Sequence, residues 1–141
     1  MAGYVLFLGG GPVAWAAYRL PLTPLSSCES EYVGGTRAAI NVNALRGILS
    51  FLGTEQKGPT TLFCDNKAAV QLSENNTSSK RMKHIATRIT FLREQVTAGI
   101  LQLFHISTNG QVADIFTKPL GAHVYHTMRQ TLLRGPTSTL M

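Results

Sequence analysis

The sequence predicts an α/β domain, a mixed sheet flanked by helices, and three observations point to it. Apolar β-prone runs alternate with stretches of helical periodicity in the order hairpin, helix, strand, helices, strand, helix. The run Leu62 to Val70 passes from an apolar strand pattern to a carboxylate, Asp65, and then into a helical pattern, which is where an α/β protein displays chemistry. The 141 residues, 44% of them hydrophobic, suit one domain large enough to bury a core.

Tyr4 to Leu8 and Val13 to Tyr18 are β-prone and are separated by Gly9-Gly10-Gly11-Pro12, which reads as two antiparallel strands. Pro21 to Pro24 form a connector. Ser26 with Glu29 three residues on fits a capping box, so a helix is predicted from about Ser27 to Leu52, stopped by Gly53. Helical stepping places Glu31, Gly35, Ala38, Val42, Leu45, Leu49 and Leu52 on one face, with Glu31 at the head of the buried stripe. After Gly58-Pro59, Thr60 to Cys64 is a short strand, and a short helix is predicted from Lys67 to Glu74. Asn75 to Lys80 is loop-like, and Ile85, Ile89, Leu92 and Val96 mark an amphipathic helix ending at Gly99. Ile100 to Ile106 is a strand, Ser107 to Gly110 a turn, and Gln111 to Thr117 a helical turn stopped by Pro119. A last helix runs from His123 to Leu133. The domain is taken as residues 1–134 and the tail as residues 135–141.

The 13 Lys+Arg against 7 Asp+Glu give a net charge of +6, which suits an anionic partner and equally a solvated basic surface. Cys28 and Cys64 lie far apart with no C-x-x-C pattern, which argues against a zinc site and a disulfide framework and for a reducing, intracellular setting. The apolar start, Met1 to Ala17, has no basic flank and is cut by its glycines, so a hairpin is read there and not a secretory signal. No stretch is long enough to span a bilayer.

Seven acidic residues can each be judged. Glu29 points about 160 degrees away from Glu31 and reads as a cap, whereas Glu31 points inward. An inward carboxylate costs several kcal/mol, of order 2 or more, unless a metal, a basic partner or a helix end compensates it. Asp65 is either a crevice carboxylate or an N-cap, and Asp114 either a site residue or the partner of Lys118 in a solvated i,i+4 pair. Glu55, Glu74 and Glu94 read as surface charge.

In their order and flanks, Ser26-Ser27-Cys28-Glu29-Ser30-Glu31-Tyr32, Cys64-Asp65-Asn66 and Ala113-Asp114-Ile115-Phe116-Thr117-Lys118-Pro119 resemble the ribonuclease H domain of copia-type retrotransposon polyproteins. Lys83-His84-Ile85 and the opening Gly3 to Trp15 resemble it too, so the likeness extends from Gly3 to about Leu133. It implies a ribonuclease H-like sheet and catalytic, metal-holding roles for Glu31, Asp65 and Asp114, together binding two Mg²⁺ or Mn²⁺ ions. The implied reaction is hydrolysis of the RNA strand of an RNA/DNA hybrid during reverse transcription, in a virus-like particle or the nucleus. The implied partners are that hybrid and the reverse transcriptase portion of the same polyprotein, with no membrane. Lys80, Arg81, Lys83, His84 and Arg88, with Arg93 nearby, are candidate phosphate contacts, or else a solvated basic face. The hybrid would be read by backbone geometry and 2′-hydroxyls. Trp15 and Tyr18 are read as packing residues.

The chain departs from the family in one important respect. The family carries a further aspartate on a first strand ahead of the hairpin, in the middle of the sheet, whereas no Asp precedes Asp65 here. The usual first strand is lacking, two inner strand edges should lie unpaired, and metal affinity and rate should both fall. The competing reading is a non-catalytic nucleic-acid-binding or connection module that keeps the fold. His105 falls on the strand before the short Ser107 to Gly110 turn and receives no catalytic role.

Overall fold

The computed structural model describes residues 1–20, 27–67, 70–71 and 85–135, with the backbone alone for 27–29. β1 (Ala2–Leu8) and β2 (Gly11–Tyr18) form the expected antiparallel hairpin. Its two-residue turn, Gly9-Gly10, has φ of +60° and +86°, a combination that only glycine adopts cheaply at both positions and that matches the twist of the strands. The register slips between Leu6 and Phe7, where Leu6 faces Ala14 but Phe7 faces Pro12, so Val13 is an extra residue in β2. Strand alternation buries Ala2, Tyr4 and Leu6 of β1. In β2 the same alternation turns Val13 and Trp15 outward, and Trp15 is 58% exposed. Trp15 is therefore not the packing residue predicted, whereas Tyr18 stacks on Tyr4 at 6.2 Å between ring centres.

α1 (Ser27–Phe51) lies across the hairpin and the second strand pair. Its buried positions include Tyr32, Ala38, Ala39 and Val42, with Gly35, Leu45 and Leu49 half-buried beside them, so most of the predicted stripe faces inward. Leu52 does not: the helix ends at Phe51 and Leu52 is exposed. Ser26 and the Glu29 side chain lie outside the described residues, so the predicted capping box does too.

β3 (Thr60–Cys64) pairs in parallel with β4 (Leu101–His105), and the chain between them includes α2 (Ala86–Thr97). Ile85, Ile89 and Leu92 of that connection are buried against α1, and Asn43 Nδ2 donates to Gln95 Oε1 at 2.8 Å to join the two helices. Of the helix predicted from Lys67 to Glu74, only residues 67, 70 and 71 are described, all helical. Two 3-10 turns, Thr108–Gly110 and Val112–Phe116, then lead to α3 (Ala122–Arg134), which packs on β2.

The fold is thus a mixed α/β arrangement, but the single sheet predicted is replaced by two separate two-stranded sheets. Among the described residues β1 and β3 each pair along one edge only. Between them runs a cavity of about 520 Å³, walled by β1 and β3 and floored by Gly35, Ala38, Val42, Leu45 and Leu49 of α1. The sheet divides because nothing in the described chain supplies backbone donors and acceptors to that gap.

Candidate functional site

Each predicted carboxylate sits at the end of an element. Glu31 lies in the second turn of α1, Asp65 directly follows β3, and Asp114 sits inside the 3-10 turn Val112–Phe116. The turn is tied to the strand end by Gln111 Nε2, which donates to the Phe63 carbonyl at 3.3 Å. Ile106 N–H donates to the Cys64 carbonyl at 2.9 Å, which carries the parallel ladder to the same point. The turn bearing Asp114 is thereby held at the end of β3, and Glu31 and Asp114 both line the cavity.

Glu31, Cys64 and Asp65, all half-buried, place one ligand atom each within 4.8 Å of one another. The Cys64 thiol donates to Glu31 Oε2 at 3.5 Å and also lies 3.9 Å from the Asn66 carbonyl. Burial raises the Glu31 pKa above its ordinary value, and the negative charges of Asp65 and Asp114 push the same way, against the Cys64 hydrogen bond and the Lys118 charge. Burial, with Glu31 and Asp65 adding to it, pushes the Cys64 thiol up to about 12, so the sulfur is a neutral donor at physiological pH.

Asp114 is 9% exposed and stands outside that close group of three. Its Oδ2 meets the Lys118 ammonium at 2.6 Å, the i,i+4 pair that the sequence allowed, but on a buried carboxylate and not a solvated one. Burial raises the Asp114 pKa and Lys118 opposes the rise, while Asp65 adds to it. In turn Asp114, and more weakly Asp65 and Glu31, raise the Lys118 pKa, so its single cation serves all three carboxylates. Lys118 and Cys64 are site residues that the sequence reading does not pick out. The i,i+4 spacing was the available signal for Lys118, and the strand alternation of Leu62 and Cys64 the signal for Cys64.

The oxygen donors of Glu31 and Asp65 suit a hard divalent cation such as Mg²⁺ or Mn²⁺, whereas a protonated thiol adds little to such a site. Gly3 brings β1 against the Asp114 turn: a Cβ there would stand 2.8 Å from Thr117 Cγ2 and 3.0 Å from the Ala16 carbonyl oxygen. Of the predicted phosphate contacts, Lys80, Arg81, Lys83 and His84 lie outside the described residues, and Arg88 is half-buried on α2. His105 is exposed at the end of β4. No helix among the described residues is long and apolar enough to cross a membrane.

Comparison with known proteins gives one consistent group. The chain is 36% identical over 118 residues to the retrovirus-related Pol polyprotein from transposon RE2 of Arabidopsis thaliana, covering 84% of this chain and 8% of that protein. It is 34% identical over 116 residues to the retrovirus-related Pol polyprotein from transposon TNT 1-94 of Nicotiana tabacum, covering 82% of this chain and 9% of that one. With the transposon Ty1-DR5 Gag-Pol polyprotein of Saccharomyces cerevisiae the identity is 27% over 121 residues, 84% of this chain and 7% of the polyprotein. No family model matches the chain, and no solved structure matches it. The chain is a homologue of retrotransposon Pol polyproteins, and it spans less than a tenth of the length of these relatives.

Proposed function

We propose that this region of a retrotransposon Pol polyprotein is a ribonuclease H-type domain of the copia kind, built to hydrolyse the RNA strand of RNA/DNA hybrids with divalent metal, and that the 141-residue chain alone turns over poorly. The observation that carries the reading is the approach of Glu31, from a helix, to Asp65, at a strand end, with Asp114 of a late turn close enough for its charge to act on Glu31. Carboxylates scattered over 84 positions of sequence have no structural reason to crowd together, since like charges repel.

Glu31 and Asp65 would hold the ion, with Asp114 joining them once Lys118 gives up its oxygen. When bound, a divalent ion supplies a lower pKa to an attacking water and neutralises the leaving oxygen of a phosphodiester. The chain's own groups do the rest. Lys118 offsets the clustered negative charge until the cation arrives, the Cys64 hydrogen bond orients Glu31, and Gln111 fixes the turn that carries Asp114. The partners proposed are an RNA/DNA hybrid and the reverse transcriptase portion of the same polyprotein.

Poor turnover is supported by the acid count: no Asp precedes Asp65, and one of the three carboxylates present is already paired with Lys118. The same pair favours a second reading, a nucleic-acid-binding module that keeps the fold without turnover. The test is cleavage of a labelled RNA/DNA hybrid with Mg²⁺ or Mn²⁺ by this chain and by a version extended with a strand carrying Asp, each also as Asp65→Asn. Cleavage by the extended version that is lost in Asp65→Asn supports the nuclease. A folded extended version that binds hybrid without cutting it establishes the binding module instead.

A further inference from the structure

A helix that covers a core ordinarily turns polar residues outward, but beyond the exposed Arg37 the outer face of α1 is largely apolar. Opposite its buried positions, Ile40, Ala44, Gly47, Ile48 and Phe51 fall within an arc of about 100° at helical spacing. Ile40 is 49% exposed, Ile48 57% and Phe51 91%. A Cβ on Gly47 would meet nothing within 4 Å, so the middle of the stripe is open as well. The charges nearest it are turned away. The Arg37 guanidinium lies over the Tyr18 ring at 5.2 Å, and that of Arg46 binds the carbonyls of Gln56 and Gly58 and the hydroxyl of Thr60.

We infer that this stripe is a contact between two copies of the chain, formed by antiparallel packing of α1 on α1 about a two-fold axis beside Ala44 and Gly47. Ile40 and Phe51 are 11 positions apart, about 16 Å along a helix, so the two-fold sets Phe51 of one copy beside Ile40 of the other. The small residues at the centre allow the axes to approach to about 8–9 Å. From those exposures the five residues present on the order of 500 Å² of mostly apolar surface. Doubled across the axis and fully covered, that comes to about 1,000 Å², the lower bound for a specific interface, which suits a weak dimer. An uncharged stripe is also the part of a +6 protein where two identical surfaces meet without like-charge repulsion.

Sedimentation equilibrium of the full chain, from about 1 to 200 μM, tests it. The expected result is a monomer–dimer equilibrium in that range, weakened at least about tenfold by Phe51→Asp and by Ile48→Asp. Leu133→Asp, an exposed leucine on α3, leaves it unchanged. Far-UV circular dichroism checks that the variants stay folded, as substitutions at exposed positions should. A wild-type chain that stays monomeric at the highest concentration overturns the inference. So does a dimer indifferent to both α1 variants, because association would then run through another surface such as the open edges of β1 and β3.

Discussion

Glu31 is a carboxylate whose ionisation the fold resists, and the sign of its effect on stability follows from that. Its pKa is raised above 4.5 in the folded chain, so over the interval above 4.5 the folded state keeps a proton that the unfolded chain has released. The stability this contributes is present at low pH and is lost as pH rises through the raised value. Glu31→Gln removes the charge, so in metal-free buffer at neutral pH the variant should melt a few degrees above the wild type. The gap should close as the pH is lowered toward 4.5; a gap that widens on acidification would overturn the account. Lys118 acts in the opposite sense. Lys118→Met leaves Asp114 buried with no cation beside it, so the metal-free protein should be destabilised by about 1–3 kcal/mol. The same variant frees an oxygen for metal, and the rise in melting temperature on adding Mn²⁺ should exceed that of the wild type. If Mn²⁺ stabilises both equally, Asp114 is not part of the ion site.

At the level of elements, the local rules were readable and the pairings between elements were not. Glycines at 9, 10, 53 and 99, all at positive φ, punctuate the chain where the sequence placed its turns and helix ends, because that conformation is a property of single residues. Glu31 could be assigned to the inner side of α1 from helical spacing alone. The 4.8 Å grouping with Cys64 could not, because it depends on how α1 crosses β3. Trp15 departs from its expected packing role for a related reason: an aromatic residue in a strand packs only if its face is covered, and α3 reaches β2 without enclosing Trp15. Arg46 illustrates a contact that no pattern announces. It clamps the loop ahead of β3 through Gln56, Gly58 and Thr60 at 2.8–3.0 Å, and so sets where the strand that leads to Asp65 begins. Arg46→Ala should cost about 1–2 kcal/mol, read as a lower urea midpoint with an unchanged slope. Gly3→Ala should cost a similar 1–3 kcal/mol, because the Ala16 carbonyl at 3.0 Å is backbone and cannot step aside.

For the molecule as a whole, the divided sheet is the feature that ties stability to activity. Two strand edges face one another across an apolar cavity of about 520 Å³, and the carboxylates stand at its end, so whatever fills the gap also braces the site. An extended segment is the natural filler, since only a peptide backbone can satisfy the edges of β1 and β3 together while its side chains rest on Ala38 and Val42. Polypeptide joined ahead of Met1 could reach the gap by a short turn, because Met1 itself lines it. A chain extended by such a strand should melt at higher temperature, and its amide exchange should slow by about tenfold or more in both Ala2–Leu8 and Thr60–Cys64. The same addition with prolines at alternate positions, which cannot donate to either edge, should lose the effect. Protection confined to β1 would mean that the segment merely lengthens the hairpin, and the link between sheet closure and the carboxylate site would fall with it.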